Sequence, residues 1–400
     1  MTERQLIKET SAESSKNRRV LMFCYEYPPL GGGGGCFARD LLYEIAHSHQ
    51  DVEVDLVTFG NYKFPPFISE QFGNVKVHRI GKFLPRKNRA TSGILLLLAY
   101  PFFAIPKGIM LSLRNKYSRV YSVFTFPSGF VGAIVSILFN KRHYVTVIGG
   151  DIYKPTEGYS PHKHLLLKVA ARRIINNAYK VNAISTDVRE KIYKFYGVKK
   201  EVEVGHIGIP FTTLTNLRDH KFDLFTFVAL GRLDTRKGYD IMIKAFAILP
   251  QTSECQLLII SDGPEKGHLL RLIDELGVSS RVHLLGYVSD KEKYQIMAKS
   301  HCFVLSSYHE GFGLAYIEAL NSSLPVVSTA NGGVEDIVSE GYNGLLSPVG
   351  DIEGLSENMS RIMQDQELYT KLLSNSRKSV AQFNITSVTN NYLSFLDLNS

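Results

Sequence analysis

The sequence predicts an α/β protein built from two doubly wound, Rossmann-like domains. Two observations support this fold class. Short apolar runs alternate with helical runs along the 400 residues, which is typical of mainly parallel sheets with helices on both faces. The chain is also too long for one ordinary domain, and a polar segment without periodicity at 211–223 divides it. We expect the domains to face each other across a cleft, the usual place for a ligand site.

The first domain begins with a buried strand at 19–25, a glycine run at 31–35 and a helix at 37–47. In α/β folds this order presents backbone amides to an anion, and glycine lets a ligand approach closely. A flexible linker is the alternative, but a linker rarely separates a buried strand from an amphipathic helix. Further strands are predicted at 52–59, 75–80, 120–124, 143–148, 180–184 and 202–207.

Asp151 closes the motif Gly149-Gly150-Asp151, directly after the strand at 143–148. Open α/β folds bind ligands at the carboxyl ends of their parallel strands. Asp151 is therefore a candidate ligand group, and a turn or helix cap is the alternative.

The charge is unevenly distributed along the chain. Residues 1–200 contain 30 Lys and Arg but only 14 Asp and Glu, a balance of +16, while the remaining half has a balance of −8. A basic first half indicates an anionic partner, such as a membrane surface or a lipid phosphate, or else merely a soluble basic surface. Nucleic acid is not expected, because no recognised binding module is present.

An apolar run at 94–106 is followed, after Lys107, by a second one at 108–113. Each is shorter than the ~20 residues that a membrane-spanning helix needs. A core helix is the simpler interpretation, and a helix dipping into a membrane face is the alternative. Four cations precede the run: Lys82, Arg86, Lys87 and Arg89.

The four cysteines are scattered, without a CxxC or zinc spacing. Reduced thiols are therefore expected. The polar start of the chain at 1–19 does not resemble a signal peptide. We expect a cytoplasmic protein, either free or peripheral on the inner face of the cell membrane.

The second domain repeats the alternation, with strands at 225–230, 256–260, 282–284, 302–305 and 326–328 and helices that include 239–249 and 266–276. Arg232 and Lys237 follow its first strand. Two fixed cations at the carboxyl edge of a sheet suit a diphosphate, although such residues are often merely solvated. Asp262-Gly263-Pro264-Glu265 follows the next strand at the same edge.

The segment 309–318 is the strongest candidate for a ligand site. Glu310 lies on a loop after a buried strand, Gly311 and Gly313 form a turn, and a helix is predicted from Leu314. The loop carboxylate can accept hydrogen bonds from hydroxyl groups, and the helix N-terminus favours an anion. Glu318 lies about one turn further on. These parts match a sugar nucleotide, whereas the alternative is two surface charges beside a helix cap. The hypothesis requires Arg232 and Lys237 to lie on the same side of the domain as Glu310.

Together these stretches resemble the retaining glycosyltransferases of the GT-B fold, family 4 type. The matching residues are Gly-Arg-Leu-Asp-x-x-Lys-Gly at 231–238, Asp-Gly-Pro-Glu at 262–265, Leu-Gly-Tyr-Val at 285–288, and Glu-Gly-Phe-Gly at 310–313 with Glu318. In the first domain the resemblance rests on the glycine run and on Gly149-Gly150-Asp151.

The resemblance implies a role for each candidate residue. Arg232 and Lys237 would hold the donor diphosphate, Glu310 would accept hydroxyls of the transferred sugar, and Glu318 would bind the ribose diol. Asp151 would be an acceptor-side group, counted with Glu310, Arg232 and Lys237 as catalytic. The remaining donor-binding residues would be Gly34, Gly35, Gly263, Val288, Gly311, Phe312, Gly313 and Leu314.

The resemblance also implies the reaction. A sugar would pass from a nucleotide diphosphate sugar to a lipid-linked or glycan hydroxyl with retained configuration, without metal or other cofactor. The polar segment at 211–223 divides the chain into domains at 1–215 and 216–382, and the resemblance implies that a C-terminal helix at 383–400 returns to the first domain. Ser261 and Glu335-Asp336 depart from the family pattern. The rival interpretations are a sugar-nucleotide epimerase of the same fold and a non-catalytic sugar-nucleotide-binding protein.

Overall fold

The computed structural model describes residues 18–60, 67–81, 94–154, 160–211 and 220–399, without the side chains of 94–98. By its internal contacts the chain forms two units. The first comprises Met1–Ile184, Val188–Ile207 and Ile385–Ser400, and the second comprises Ser185–Asp187 and Gly208–Asn384. The chain therefore enters the second unit before the predicted boundary at 215/216. The reason is that Ile209 pairs with Asn384, which fixes this stretch to the second unit.

The first unit contains one eight-stranded sheet. Its strands are β1 Arg19–Phe23, β2 Glu53–Phe59, β3 Ser69–Phe72, β4 Val75–Ile80, β5 Arg119–Val123, β6 Arg142–Val147, β7 Lys180–Ala183 and β8 Glu203–Val204. The order across the sheet is β3-β4-β2-β1-β5-β6-β7-β8. All neighbours are parallel except β3 and β4. The order reverses between β1 and β5, so their carboxyl ends flank a topological switch point.

Helices cover both faces of this sheet, which explains why strands such as β1 and β2 are almost wholly buried. These helices are α1 Gly33–Ser48, α2 Ile94–Arg114, α3 Phe130–Leu138, α4 Leu165–Asn177 and α5 Thr186–Tyr196. The two predicted apolar runs at 94–106 and 108–113 form the single helix α2, which includes Pro101 and Pro106. Within the described ranges, no helix is long and apolar enough to cross a membrane.

The second unit contains a six-stranded parallel sheet. Its strands are β9 Phe225–Leu230, β10 Cys255–Ile260, β11 Val282–Gly286, β12 Cys302–Leu305, β13 Val326–Thr329 and β14 Gly344–Ser347, in the order β11-β10-β9-β12-β13-β14. Its helices are α6 Tyr239–Ile248, α7 Lys266–Glu275, α8 Asp290–Lys299, α9 Leu314–Asn321, α10 Ile352–Gln364 and α11 Gln366–Ser379. The predicted α/β class with two parallel-sheet domains is confirmed.

The last helix, α12 Ile385–Phe395, belongs to the first unit and packs on α1. The rings of Tyr392 and Phe37 lie 5.0 Å apart, and the Tyr392 hydroxyl donates to the Gly205 carbonyl at 2.9 Å. Beyond the helix, Asp397 accepts a hydrogen bond from Lys180 at 2.7 Å. The end of the chain is thereby fixed to the edge of the first sheet.

Several elements differ from the prediction; β8, for example, spans Glu203–Val204 where a strand at 202–207 is predicted. The sequence did not predict β3 and β14, which are four residues each; β3 is polar and half-exposed, so it lacks an apolar pattern. Helix α1 begins at Gly33 rather than at 37. Three of the predicted loop glycines therefore form the first turn of a helix.

Candidate active site

The second unit carries a topological switch point between β9 and β12, which are hydrogen-bonded neighbours. The loops beyond the carboxyl ends of strands at such a point form the usual ligand crevice of an open α/β sheet. The loop after β9 carries Arg232, Arg236 and Lys237, and the loop after β12 carries Glu310. The topology therefore brings the predicted cations and the predicted acid to one edge of the sheet.

Lys237 and Glu310 form a buried ion pair at this edge. The Lys237 ammonium donates a hydrogen bond to Oε1 of Glu310, and Ser307 Oγ donates to the same oxygen at 2.9 Å. Glu310 is only 4 % exposed. Its backbone N–H donates to the Asn331 carbonyl at 3.3 Å, and its carbonyl accepts from the Gly333 N–H at 3.2 Å. Glu310 is thus held by the loops that follow β12 and β13 and by its counter-ion, Lys237.

Arg236 is the second cation at this acid, and it was missed in the prediction. Its Nη1 lies 3.3 Å from Oε2 of Glu310. Arg236 and Lys237 are consecutive in the single turn Thr235–Lys237, which ends at Gly238 with φ +62°. A Cβ at Gly238 would lie 2.2 Å from the Ser306 carbonyl oxygen. Glycine at this position lets the two loops approach closely enough for the ion pairs to form.

The electrostatics of the cluster keep Glu310 ionised. Burial alone would raise the pKa of Glu310, but the Lys237 ammonium and the Arg236 guanidinium lower it to about 2. The acid therefore stays negative at any physiological pH. Two cations against one carboxylate leave the cluster with a net positive charge, which suits a polyanion.

Arg232 lies at the carboxyl end of β9, on the side of the unit that the hypothesis requires. It is half-buried, and the residues described here offer its guanidinium no hydrogen-bond or ion-pair partner. Its backbone carbonyl accepts from the Asp234 N–H at 2.8 Å. Unlike Lys237, Arg232 has a guanidinium that no carboxylate within the described ranges neutralises.

Helix α9 begins at Leu314, as predicted, behind Gly313, whose φ is +107°. The first N–H groups of a helix have no intrahelical acceptor and favour an anion. The Gly311 carbonyl accepts a hydrogen bond from Ser185 Oγ at 2.6 Å. The Phe312 ring is buried edge-on against Phe383, with centroids 5.4 Å apart. Only the backbone of Phe312 is therefore suited to bind a ligand.

Glu318 lies one turn into α9 and is paired with Lys293 of α8. Lys293 Nζ lies 3.1 Å from Oε1 of Glu318, and the Lys293 side chain is 13 % exposed. Burial alone would lower the pKa of Lys293, but Glu318 and the neighbouring Tyr294 and Asp290 raise it. Lys293 was missed in the prediction because nothing in its own helix marks it as different from a surface lysine.

Gly263 and Val288 occupy the loops after β10 and β11. The Leu233 N–H donates to the Asp262 carbonyl at 3.2 Å, and the Leu233 carbonyl accepts from the Glu265 N–H at 3.1 Å. These bonds join the loop of Gly263 to that of Arg232. Val288 is half-buried two residues beyond β11, at the edge of the sheet.

The acidic pair that departs from the family pattern has local partners. Glu335 accepts from the Gly332 N–H at 3.4 Å, and Asp336 accepts from the Thr186 N–H at 2.7 Å. Both carboxylates therefore bind backbone.

In the first unit, Gly34 and Gly35 lie in the first turn of α1 beside the end of β5. A Cβ at Gly34 would lie 2.5 Å from the Phe124 ring. The absence of a side chain thus lets the helix start pack against this aromatic residue. Glu26, which the prediction missed, accepts from the Gly32 N–H at 3.1 Å and from the Tyr25 hydroxyl at 2.8 Å.

Asp151 binds the backbone of its own sheet edge. Its Oδ2 accepts from the Thr125 N–H at 2.6 Å and from Thr125 Oγ1 at 2.8 Å, and its Oδ1 accepts from the N–H groups of Ile148 and Gly149 at 3.2 and 2.9 Å. Burial raises the pKa of Asp151, and the Thr125 donors oppose that shift. The capping alternative accounts for these four contacts. A role toward the acceptor stays a prediction.

Metal ligands do not cluster in the part of the chain that the structure describes. No group of three or more His, Cys, Asp or Glu side chains there could hold a metal ion.

Comparison with known proteins shows what this chain is similar to. Residues 216–379 match the family model described as glycosyl transferases group 1. The lipopolysaccharide core biosynthesis glycosyltransferase LpsE of Rhizobium meliloti is 34 % identical over 179 residues, which is 44 % of this chain and 51 % of LpsE. The chain thus spans about half the length of this relative.

Two solved structures share the fold along almost the whole chain. Sucrose-phosphate synthase from Thermosynechococcus elongatus superposes with a TM-score of 0.79 at 23 % identity, over 94 % of this chain and 97 % of that one. Anabaena HepE in complex with UDP-glucose superposes with a TM-score of 0.70 at 20 % identity, over 95 % and 99 %.

Proposed function

We propose that this chain is a retaining glycosyltransferase of family 4 type with the GT-B fold, which the match of residues 216–379 to the glycosyl transferases group 1 model supports. It moves a sugar from a nucleotide diphosphate sugar to a hydroxyl of a lipid-linked or glycan acceptor. The observation that carries the proposal is the cluster of Lys237, Arg236 and Glu310 at the switch point between β9 and β12.

The leaving group of such a reaction is a nucleoside diphosphate that gains negative charge as the glycosidic bond breaks. Lys237, Arg232 and the N-terminus of α9 stabilise this charge, and removal of one such donor typically costs on the order of 10²–10³ in rate. Glu310 fixes the position of Lys237 and accepts hydroxyls of the sugar. These cations take the place of a metal. The acceptor attacks from the side that the phosphate leaves, and the departing phosphate oxygen takes its proton.

Two relatives support the classes of donor and acceptor. HepE has been crystallised with UDP-glucose, and LpsE is a transferase of lipopolysaccharide core biosynthesis.

The test is incubation of the protein with a panel of UDP-, GDP- and ADP-sugars, with and without glycan and lipid-linked acceptors. We expect nucleoside diphosphate release that requires the acceptor and survives EDTA, with the anomeric configuration retained by NMR. Conversion of the donor without an acceptor would identify an epimerase instead. Binding of a donor with no turnover across the panel would identify a binding protein.

A further inference from the structure

Three neighbouring helices of the first unit expose large apolar side chains. We name the set Phe102 and Leu113 of α2, Ile137 and Leu138 of α3, and Leu165 and Leu166 of α4 the apolar helix face. Each of these side chains is between 59 and 85 % exposed. Isolated exposed apolar residues are ordinary, but a contiguous group of them marks an interaction surface.

The spacing shows that these residues form outer stripes of the helices. In α3, Phe130, Ile137 and Leu138 follow the i, i+7, i+8 pattern of one helical face, whereas Val131 and Val135 on the opposite face are buried. Helix α3 packs against both α2 and α4. The three stripes therefore lie on the outer side of one layer of helices. The inner sides of these helices pack against the core.

The charge around this face is strongly positive. Helices α2, α3 and α4 contain five Lys and Arg and no acidic residue. The Asp151 carboxylate is occupied by backbone donors within the sheet edge. Cations that adjoin the apolar stripes include Lys107, Arg114, Lys168, Arg172 and Arg173. No acidic side chain of these helices opposes them.

We propose that the apolar helix face docks this protein onto an anionic lipid bilayer. Aliphatic and aromatic side chains bordered by Lys and Arg, without acids, are the composition that binds a membrane interface. A second copy of the same chain fits poorly, because two equally positive faces would repel each other. The cations at 82–89 that the sequence predicted for such a contact lie outside the described residues.

Docking would place the first unit beside lipid-linked acceptors, but it does not depend on the transferase chemistry. Vesicle binding is measured without donor or acceptor. The failure of this inference and the failure of the proposed function are therefore distinguishable.

The test is co-sedimentation of the full-length protein with vesicles of phosphatidylcholine alone or mixed with phosphatidylglycerol. We expect binding to the anionic vesicles only, weakened by salt. The quadruple variant Ile137→Ser, Leu138→Ser, Leu165→Ser, Leu166→Ser should lose about tenfold or more in vesicle affinity, as should Arg172→Glu with Arg173→Glu. Ile248→Ser, an equally conservative change at a 54 % exposed residue of the second unit, should bind as wild type does.

Surface substitutions of this kind leave stability nearly unchanged, so melting temperatures of all variants should agree. The inference is overturned if wild type ignores anionic vesicles or if the quadruple variant binds them undiminished. It is also overturned if analytical ultracentrifugation shows that the only effect of the quadruple substitution is to convert an oligomer into monomers. That result would make this face a protein interface.

Discussion

Lys237 donates a hydrogen bond to Glu310 across 73 residues of chain. The contact exists because β9 and β12 are neighbours in the sheet although β10 and β11 separate them in sequence. Their carboxyl ends therefore release two loops into the same crevice. One loop supplies the cation and the other supplies its counter-ion, which holds the ammonium in a fixed position away from solvent.

Loss of the Lys237 ammonium should impair catalysis. Lys237→Met should lower the rate of nucleoside diphosphate release by roughly 10²–10³, because one donor to the leaving diphosphate is lost. Lys244→Met is the matched control, since Lys244 is a half-buried lysine of α6 that pairs with Asp240 at 3.7 Å and not with Glu310. Equal rates for wild type and Lys237→Met would refute the assigned role.

Replacement of Arg232 should lower activity without lowering stability. Because no protein carboxylate neutralises it among the described residues, Arg232→Ala should change the melting temperature little while lowering the transfer rate by about 10²–10³. Thermal unfolding and initial rates on the same preparation measure both quantities. A large loss of stability with unchanged rate would show that the side chain is structural.

Lys293 should strengthen the binding of the ribose by holding Glu318 in position. Its ammonium fixes the carboxylate that the family resemblance assigns to the ribose diol. Lys293→Met should weaken binding of the preferred nucleoside diphosphate by about tenfold, the scale of one hydrogen bond to a charged group.

The same variant should bind the 2′,3′-dideoxy nucleotide as wild type does, because that nucleotide lacks both hydroxyls of the diol. Lys291→Met, on the exposed side of the same helix, is the control. If calorimetry shows that the binding of both nucleotides is weakened equally, Lys293 does not act on the ribose.

His301 should make the second unit less stable in acid. Its Nδ1 accepts from the Thr226 N–H at 3.0 Å, and its ring stacks on Phe225 at 4.9 Å. Burial, with a smaller contribution from Lys221, lowers the pKa of His301 to about 4. Below its ordinary pKa of about 6.5 the unfolded chain takes up a proton that the folded chain does not, so stability falls as the pH drops from about 6.5 to 4.

The loss attributable to His301 is about 1–2 kcal/mol at about pH 5. His301→Asn keeps an acceptor for Thr226 but does not titrate. Its melting temperature should therefore fall less than that of wild type between neutral pH and about pH 5. Parallel pH profiles for the two proteins would contradict this interpretation.

The sequence was sufficient to predict the residues that follow strands. Lys237, Glu310 and the start of α9 at Leu314 each come after a recognisable apolar run, and the carboxyl ends of parallel strands share one edge. The α/β class followed from the same alternation.

Pairings between elements could not be predicted in this way. Arg236 reaches Glu310, and Lys293 reaches Glu318, because of how separate loops and helices pack, which local patterns do not encode. The start of α1 was misplaced for a related reason. Glycine disfavours a helix in isolation, but at Gly34 the lack of a side chain is what lets the helix approach Phe124.

The most direct measurement of the central claim is the thermal shift of wild type, Lys237→Met and Lys244→Met with UDP, GDP and ADP. A nucleotide that binds the folded state raises the melting temperature by mass action. We predict that at least one of the three stabilises wild type and Lys244→Met but not Lys237→Met. Stabilisation of Lys237→Met to the same extent as wild type, or of none of the three proteins by any nucleotide, would contradict a diphosphate site at Lys237 and Glu310.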